Sequence, residues 1–427
     1  MRIKVEGGKP LNGSYAPSGS ANAAAACLAA ALMSEHPVTL ANVPKTTTTG
    51  ALLELAAFLG AEISGGEDKT PIELLTTQIA KRHLTPAVTG GMVGGMLFVA
   101  PILTRRGFVR LEVDFPLNRV RTHLEALRDL KQDVSIVGGA VEINAAKWDS
   151  LDILLSQTSV TATGMVILLA AALGRETVIH NAASEPHVQD LARFLVAMGA
   201  SIDGIGTNTI TIHGGRPLHG CTYQIGPDHI EVGSFIGLAA VTRSEITIER
   251  AGVEHLRSTL MGFERLGVVC RIEGEDLVVP GKQDMVIRSD LGGAVPKLED
   301  QPWPAFPADT MSIALVTATQ CEGVIVIHEK MFESRLFFVD KLIGMGARIV
   351  LCDPHRAVVV GPTKLHSGRV DSPDIRAGMA MLLAALCAEG ESIIDNVGQI
   401  ERGYERIDER LRALGAKVER VEDRRTR

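Results

Sequence analysis

Six stretches of helix length, at 20–33, 89–103, 160–173, 233–241, 310–319 and 375–387, are apolar nearly all round. A helix lying on a surface carries a polar stripe at the 3.6-residue period, so these six are expected to be buried on every side. Each unit also holds a stretch with amphipathic periodicity, at 49–59, 120–130, 188–198, 254–266, 335–345 and 402–414. The amphipathic stretches run into short tripeptides: Leu59-Gly60-Ala61, Met198-Gly199-Ala200, Leu266-Gly267-Val268, Met345-Gly346-Ala347 and Leu414-Gly415-Ala416, with the weaker Leu130-Lys131-Gln132 in the one gap. A glycine there predicts a helix C-cap that leads into a strand. The middle residues lie 71, 68, 68, 79 and 69 positions apart, so six units of about 70 residues account for the chain.

The unit reads as strand, buried helix, strand, amphipathic helix and paired strands, with alternating stretches such as 38–43 and 246–249 supplying strands. Six such units exceed one core, which predicts an α/β fold of two three-unit domains with helices inside and sheets outside. The boundary is expected near Gly226. The first domain would span 20–226, and the second 1–19 with 227–427, the N-terminal strand at 2–6 joining the latter. The charged tail at 419–427 is expected to be a solvated end.

Composition narrows the chemistry. Of 427 residues, 46% are hydrophobic and 22% charged, which excludes disorder, collagen and coiled coil. Forty-three basic against fifty acidic side chains leave a net charge of −7, against a general nucleic-acid or membrane-surface binder, so an anionic ligand must meet a local basic site. The six cysteines are far apart and the twelve histidines show no ligand spacing, so no metal site or disulfide framework is expected. His123, His187 and His229 read as helix-surface or cap residues. The opening residues lack the apolar stretch of a signal peptide, and apolar runs of about 14 residues fall short of the ~20 a membrane helix needs. A cytoplasmic location follows as the expectation. Walker, dinucleotide-binding, zinc-protease and nucleophile-elbow motifs are all absent.

The buried stretches begin with capping residues, among them Ser18-Gly19-Ser20, Thr158-Ser159, Ala308-Asp309-Thr310 and Ser372-Pro373-Asp374. Each is by itself an ordinary N-cap. If the helices run parallel, their positive ends and free N–H groups converge on one face of each domain, a place suited to phosphate and carboxylate.

Several runs make the chain resemble the enolpyruvyl transferases from end to end: Ser18-Gly19-Ser20-Ala21-Asn22, Pro227-Asp228-His229-Ile230-Glu231, Pro304-Ala305-Phe306-Pro307-Ala308-Asp309, Phe332-Glu333-Ser334-Arg335, Asp374-Ile375-Arg376 and Arg402-Gly403-Tyr404-Glu405-Arg406. The resemblance implies two inverted, inside-out α/β barrel domains closing over phosphoenolpyruvate and a uridine nucleotide or nucleotide sugar, UDP-N-acetylglucosamine foremost. It implies a monomer that needs no cofactor and no metal. Phosphoenolpyruvate brings a carboxylate and a phosphate, for which planar arginine forks are suited. By position, Asp309 matches the aspartate beside the attacking hydroxyl and is the candidate base, a role compatible with capping the helix that follows. Arg402 matches an arginine contacting phosphoenolpyruvate, and Arg335, Asp374 and Arg376 match its carboxylate site and closing network. Asn22 matches the asparagine next to the sugar, Ser159 and Val160 a phosphate-binding helix start, and Glu185 part of the active-site wall.

The chain departs from the family pattern in four places. Ala21 stands where the family has a lysine, Thr161 where glycine is usual, and 89–95 contains no basic residue. The loop at 110–121 lacks the family's cysteine, which leaves Asp114 as the acid candidate or a solvated loop carboxylate, with Arg119 or Arg121 as the arginine after it. Two explanations are open. Arg105, Arg106, Arg110, Arg119 and Arg121 compensate in a transferase, acting on the same or another nucleotide or nucleoside; or the chain is a nucleotide-binding protein without phosphoenolpyruvate chemistry.

Overall fold

A computed structural model describes residues 1–67 and 70–421. Among the described residues there are six four-stranded sheets, each with one parallel pair and two antiparallel pairings. In the clearest repeat, Trp148–Leu154 pairs in parallel with Gly174–His180 across the helix Val160–Leu173. The helix Pro186–Ala197 then leads to the hairpin of Ser201–Asp203 and Thr209–His213, which completes the sheet.

Contacts divide the chain into two compact units, Gly19–Gly226 and Met1–Ser18 with the chain from Pro227 onward. Each has its own hydrophobic core. In the Gly19–Gly226 unit the late strand Thr222–Gln224 pairs in parallel with Val38–Ala41 and so completes the first sheet. In the other unit Asn12–Tyr15 joins Glu245–Ile248, while Arg2–Gly7 lies between Gly390–Asp395 and Lys417–Val421. Residues 419–421 of the expected solvated tail are therefore a paired strand; residues 422–427 lie outside the described residues.

The apolar stretches become the core helices. All thirteen residues of His229–Val241 are buried, as are all eight of Met311–Ala318. A methyl on Gly233 would meet Thr310 at 2.9 Å, and one on Gly237 would meet Ile313 at 2.4 Å, so these two helices run side by side in the same direction and glycine sets their approach. Five of the six tripeptides place a glycine at positive φ after the helix, and Lys131 adopts the same left-handed conformation (φ 61°) in the sixth.

Three predicted helices are shorter than expected. The stretch 89–103 breaks at Gly90 and Gly91, both left-handed, into Pro86–Thr89, the 3-10 segment Val93–Phe98 and Val99–Arg106. The stretch 335–345 contributes only Val339–Gly344, behind a turn with Ser334 at φ 65°. In 402–414 a left-handed Arg406 separates the 3-10 segment Val397–Arg402 from Ile407–Ala413.

Candidate active site

In the unit holding Pro227 onward, the starts of three buried helices meet. Ser312 Oγ donates to the Arg376 carbonyl at 3.1 Å, which joins the first turns of Met311–Ala318 and Ile375–Cys387. The contact of Gly233 with Thr310 brings in His229–Val241. Sequence periodicity predicts this convergence, and here the contacts show it.

Asp309 sits at the junction, in the 3-10 turn Ala308–Thr310. Arg335 Nη1 donates to its Oδ1 at 2.8 Å and Arg376 Nη2 to its Oδ2 at 3.1 Å. Burial favours the neutral acid, but the guanidiniums of Arg376 and Arg335 together outweigh it and hold the carboxyl well below the usual range. The expected N-cap role is not what Asp309 does. The turn runs on into the helix, the capping position falls to Thr310, and both Asp309 oxygens go to arginine.

Aromatic rings back both arginines. Arg335 lies 4.0 Å above the Phe332 ring and Arg376 5.9 Å from that of Tyr404. Tyr404 is buried and its hydroxyl meets Ser234 Oγ at 2.8 Å. Glycine at 403 lets the chain pass close to Ile375, whose Cγ2 lies 2.7 Å from where a methyl would be, with Arg376 Nη1 at 3.8 Å beside it. Two residues that sequence reasoning passed over belong to this neighbourhood. Tyr404 lay within the quoted Arg402–Arg406 run. Glu329, buried near Arg335 and Asp309, follows a strand end and carries no periodic signal.

Other predicted residues are placed differently. Arg402 is exposed and donates to Gln399 at 3.3 Å, one residue away from the Gly403 approach. Asp374 caps Ile375–Cys387, Oδ1 accepting from the Arg376 and Ala377 N–H groups at 2.7 and 2.8 Å. It is positioned by helix chemistry, and Arg376 is aimed by the turn it caps.

In the Gly19–Gly226 unit, Ser20 caps Ala21–Ala31 and leaves Asn22 exposed on the first turn. Ser159 caps Val160–Leu173, accepting from the Ala162 N–H at 3.3 Å, and Val160 is half-buried beside it. Thr161, the departure from glycine, meets His123 Nε2 at 2.8 Å, which ties this helix start to Arg121–Asp129. Glu185 occupies the cap position of Pro186–Ala197, its carbonyl accepting from Val188 and Gln189. Asp114 is exposed and its carboxylate lies against Gly91, 3.1 Å from where a methyl would be. Arg119 packs over Phe115 at 5.2 Å, and Arg121 begins its helix exposed.

The compensating arginine cluster does not form. Arg105 and Arg106 end Val99–Arg106 and donate to backbone carbonyls: Arg105 to Leu32, Thr76 and Thr77, Arg106 to Ile79. These carbonyls belong to other segments, Leu32 at the C-terminal end of Ala21–Ala31 and the stretch 76–79 after Ile72–Leu75, so both guanidiniums are spent on holding backbone together. Arg110 pairs with Glu142 and Glu112 on a sheet. The histidine reading is corrected as well: His123, His187 and His229 are all buried, and burial pushes His123 down to about 4 and His229 to about 3, so both are neutral at pH 7.

An α/β fold of six repeats, with arginines gathered on a carboxylate at converging helix starts, defines a class suited to anionic substrates. The chain belongs to the enolpyruvyl transferases: the family model described as EPSP synthase (3-phosphoshikimate 1-carboxyvinyltransferase) matches residues 5–411. Among curated relatives, a UDP-N-acetylglucosamine 1-carboxyvinyltransferase of Bradyrhizobium diazoefficiens is 57% identical over 99% of this chain and 98% of its own. One of the same name from Treponema denticola is 46% identical over 97% and 98%. Solved structures share the fold: the enolpyruvyl transferase NikO from Streptomyces tendae at TM-score 0.86 (22% identity, 98% of each chain), and EPSP synthase from Acinetobacter baumannii at 0.77 (17%, 99% and 100%). No helix among the described residues is long and apolar enough to cross a membrane.

Proposed function

We propose that this enzyme transfers the enolpyruvyl group of phosphoenolpyruvate to a hydroxyl of UDP-N-acetylglucosamine, a cytoplasmic step toward peptidoglycan, and works as a monomer without cofactor. The double arginine grip on Asp309 carries the reading, supported by the end-to-end likeness to relatives of that name. Two guanidiniums at one point suit a ligand that brings a carboxylate and a phosphate. When Arg335 and Arg376 turn to those anions, Asp309 loses the charges that depress it and regains basicity. It then takes the proton of the acceptor hydroxyl while an acid protonates the methylene carbon of phosphoenolpyruvate. The hydroxyl oxygen bonds to the central carbon. Loss of phosphate, and of a proton from the new methyl group, restores the double bond as an enol ether.

Asp114 is the proposed acid and Arg402 a further phosphoenolpyruvate contact, with Arg119 and Arg121 assisting from the start of their helix. Asn22, Glu185 and the N–H groups at Ser159 and Val160 would hold the nucleotide sugar, whose diphosphate suits a helix start. Asp374 serves by keeping Arg376 in place.

The test is phosphate release from phosphoenolpyruvate with UDP-N-acetylglucosamine, other nucleotide sugars, UMP and uridine in turn. Release that depends on UDP-N-acetylglucosamine supports the proposal, and release with another acceptor only reassigns the substrate. Nucleotide binding with no release in any mixture points to a binding protein. Asp309→Ala is expected to lower turnover by about 10²–10⁴-fold with folding retained; full activity would remove Asp309 from the mechanism.

A further inference from the structure

Tyr404 touches the Asp309 site, yet the mechanism above gives it no task. It is 2% exposed and follows the 3-10 segment Val397–Arg402, its N–H donating to the Ile400 carbonyl at 3.0 Å. Its hydroxyl meets Ser234 Oγ at 2.8 Å, and Ser234 Oγ donates to the Ile230 carbonyl at 2.9 Å. A serine hydroxyl has a single proton and a carbonyl only accepts, so that proton is spent on Ile230 and the tyrosine O–H is the donor to Ser234. This chain of hydrogen bonds pins the ring to the helix His229–Val241.

Arg376 lies over the same ring, its guanidinium carbon 5.9 Å from the centroid. The residue before the tyrosine is glycine, and a methyl there would meet Ile375 Cγ2 at 2.7 Å and Arg376 Nη1 at 3.8 Å, so backbone and ring together form a surface against the start of Ile375–Cys387. A guanidinium over a ring is attracted by the ring quadrupole and still has several N–H donors to give elsewhere. One of them goes to Asp309 Oδ2 at 3.1 Å. Arg376 can therefore stay over Tyr404 while it exchanges Asp309 for the carboxylate of a substrate.

We propose that Tyr404 is a positioning residue for the transfer reaction: its ring, pinned through Ser234, holds Arg376 at the point where the phosphoenolpyruvate carboxylate is received. The proposal rests on the transferase reading given above. A long arginine side chain loses rotamer freedom when it grips a ligand, and a ring that has already ordered it removes that loss from the binding step.

Tyr404→Phe and Tyr404→Met separate this from a merely structural role. Phenylalanine keeps the ring and leaves the Ser234 proton on Ile230, whereas methionine fills the space with a flexible chain and no ring. The KM for phosphoenolpyruvate, the KM for UDP-N-acetylglucosamine and kcat would be measured for parent and variants, with the urea midpoint of each. The expected result in Tyr404→Met is a rise of about tenfold in the phosphoenolpyruvate KM with the acceptor KM unmoved, most of which Tyr404→Phe recovers. Equal changes in both KM values, no change in either, or a phenylalanine variant as impaired as the methionine one overturns the proposal. Nuclear magnetic resonance of isotope-labelled arginine side chains gives a readout apart from turnover. The Arg376 Nε–H signal, assigned by its loss in Arg376→Lys, should be shifted by the ring current in the parent and in Tyr404→Phe, and should return to the position of a free arginine in Tyr404→Met. That pattern supports the hold on Arg376 even if no acceptor is turned over. A signal already at the free position in the parent, or one that Tyr404→Met leaves unmoved, overturns it, and the parent alone decides the first point whether or not the methionine variant folds.

Discussion

Asp309 and Asp374 carry the same carboxylate at the starts of neighbouring buried helices and spend it differently. Asp374 gives an oxygen to two backbone amides, so Asp374→Ala should lower stability by about 1 kcal/mol, read as a shift in urea midpoint at unchanged slope. Asp309 gives its oxygens to two side chains, and its depressed acidity has a definite sign. A carboxyl held below its unfolded value contributes stability that is present above the ordinary carboxylate range and is lost as pH falls through the folded value. The parent should therefore lose more stability on acidification than Asp309→Asn; equal acid dependence of the two would contradict the grip. Asp309, Arg335, Arg376 and Asp374 were singled out because each lies in a short run that carries the family resemblance, and the structure brings the first three together. Which of the two aspartates caps and which is gripped could not be read in the sequence. That depends on whether the turn ahead of the helix is continuous with it, and long-range packing fixes that.

Among the elements, the six helix-to-strand junctions show how far local pattern reaches. The glycine tripeptides fix five of them, and the gap at Lys131 is the same left-handed turn made by a residue that pays a steric cost for it. Lys131→Gly should raise stability by up to about 1 kcal/mol. Gly267→Ala should lower it by more than about 1 kcal/mol, since the added methyl would lie 2.4 Å from the Val286 amide nitrogen at a φ of 78°. Thermal or urea unfolding checks both. The failures are equally physical. Apolar periodicity alone ran the helix through Gly90 and Gly91, and it could not foresee left-handed Ser334 or Arg406. A charged contact joins three elements: Arg410 donates to Glu231 at 2.6 Å, Ser18 at 2.7 Å and Tyr15 at 2.8 Å. Glu231 is 2% exposed, so Arg410→Met should cost about 3 kcal/mol by leaving it without its counter-charge.

For the molecule as a whole, repeat counting conveyed the architecture because each unit must bury an all-apolar helix that it cannot cover alone. Six units give six sheets, and the apolar surface collects into two cores. The arginine balance was less legible. Arg105, Arg106 and Arg110 are near one another in sequence, yet two of them donate to backbone carbonyls of the stretch 76–79 and the third pairs on a sheet. The loop at 110–121 contains no cysteine, so an epoxide that alkylates the family's loop cysteine should leave turnover unchanged. Cys352, the exposed cysteine, lies on Arg348–Asp353, and its labelling should not alter that result. The most direct measurement is the mass of the nucleotide sugar after incubation with enzyme and phosphoenolpyruvate. Gain of one enolpyruvyl group on UDP-N-acetylglucosamine, matched mole for mole by released phosphate and lost in Asp309→Ala, is the expected result. An unmodified nucleotide sugar, with phosphoenolpyruvate intact and the nucleotide still bound, would contradict the account.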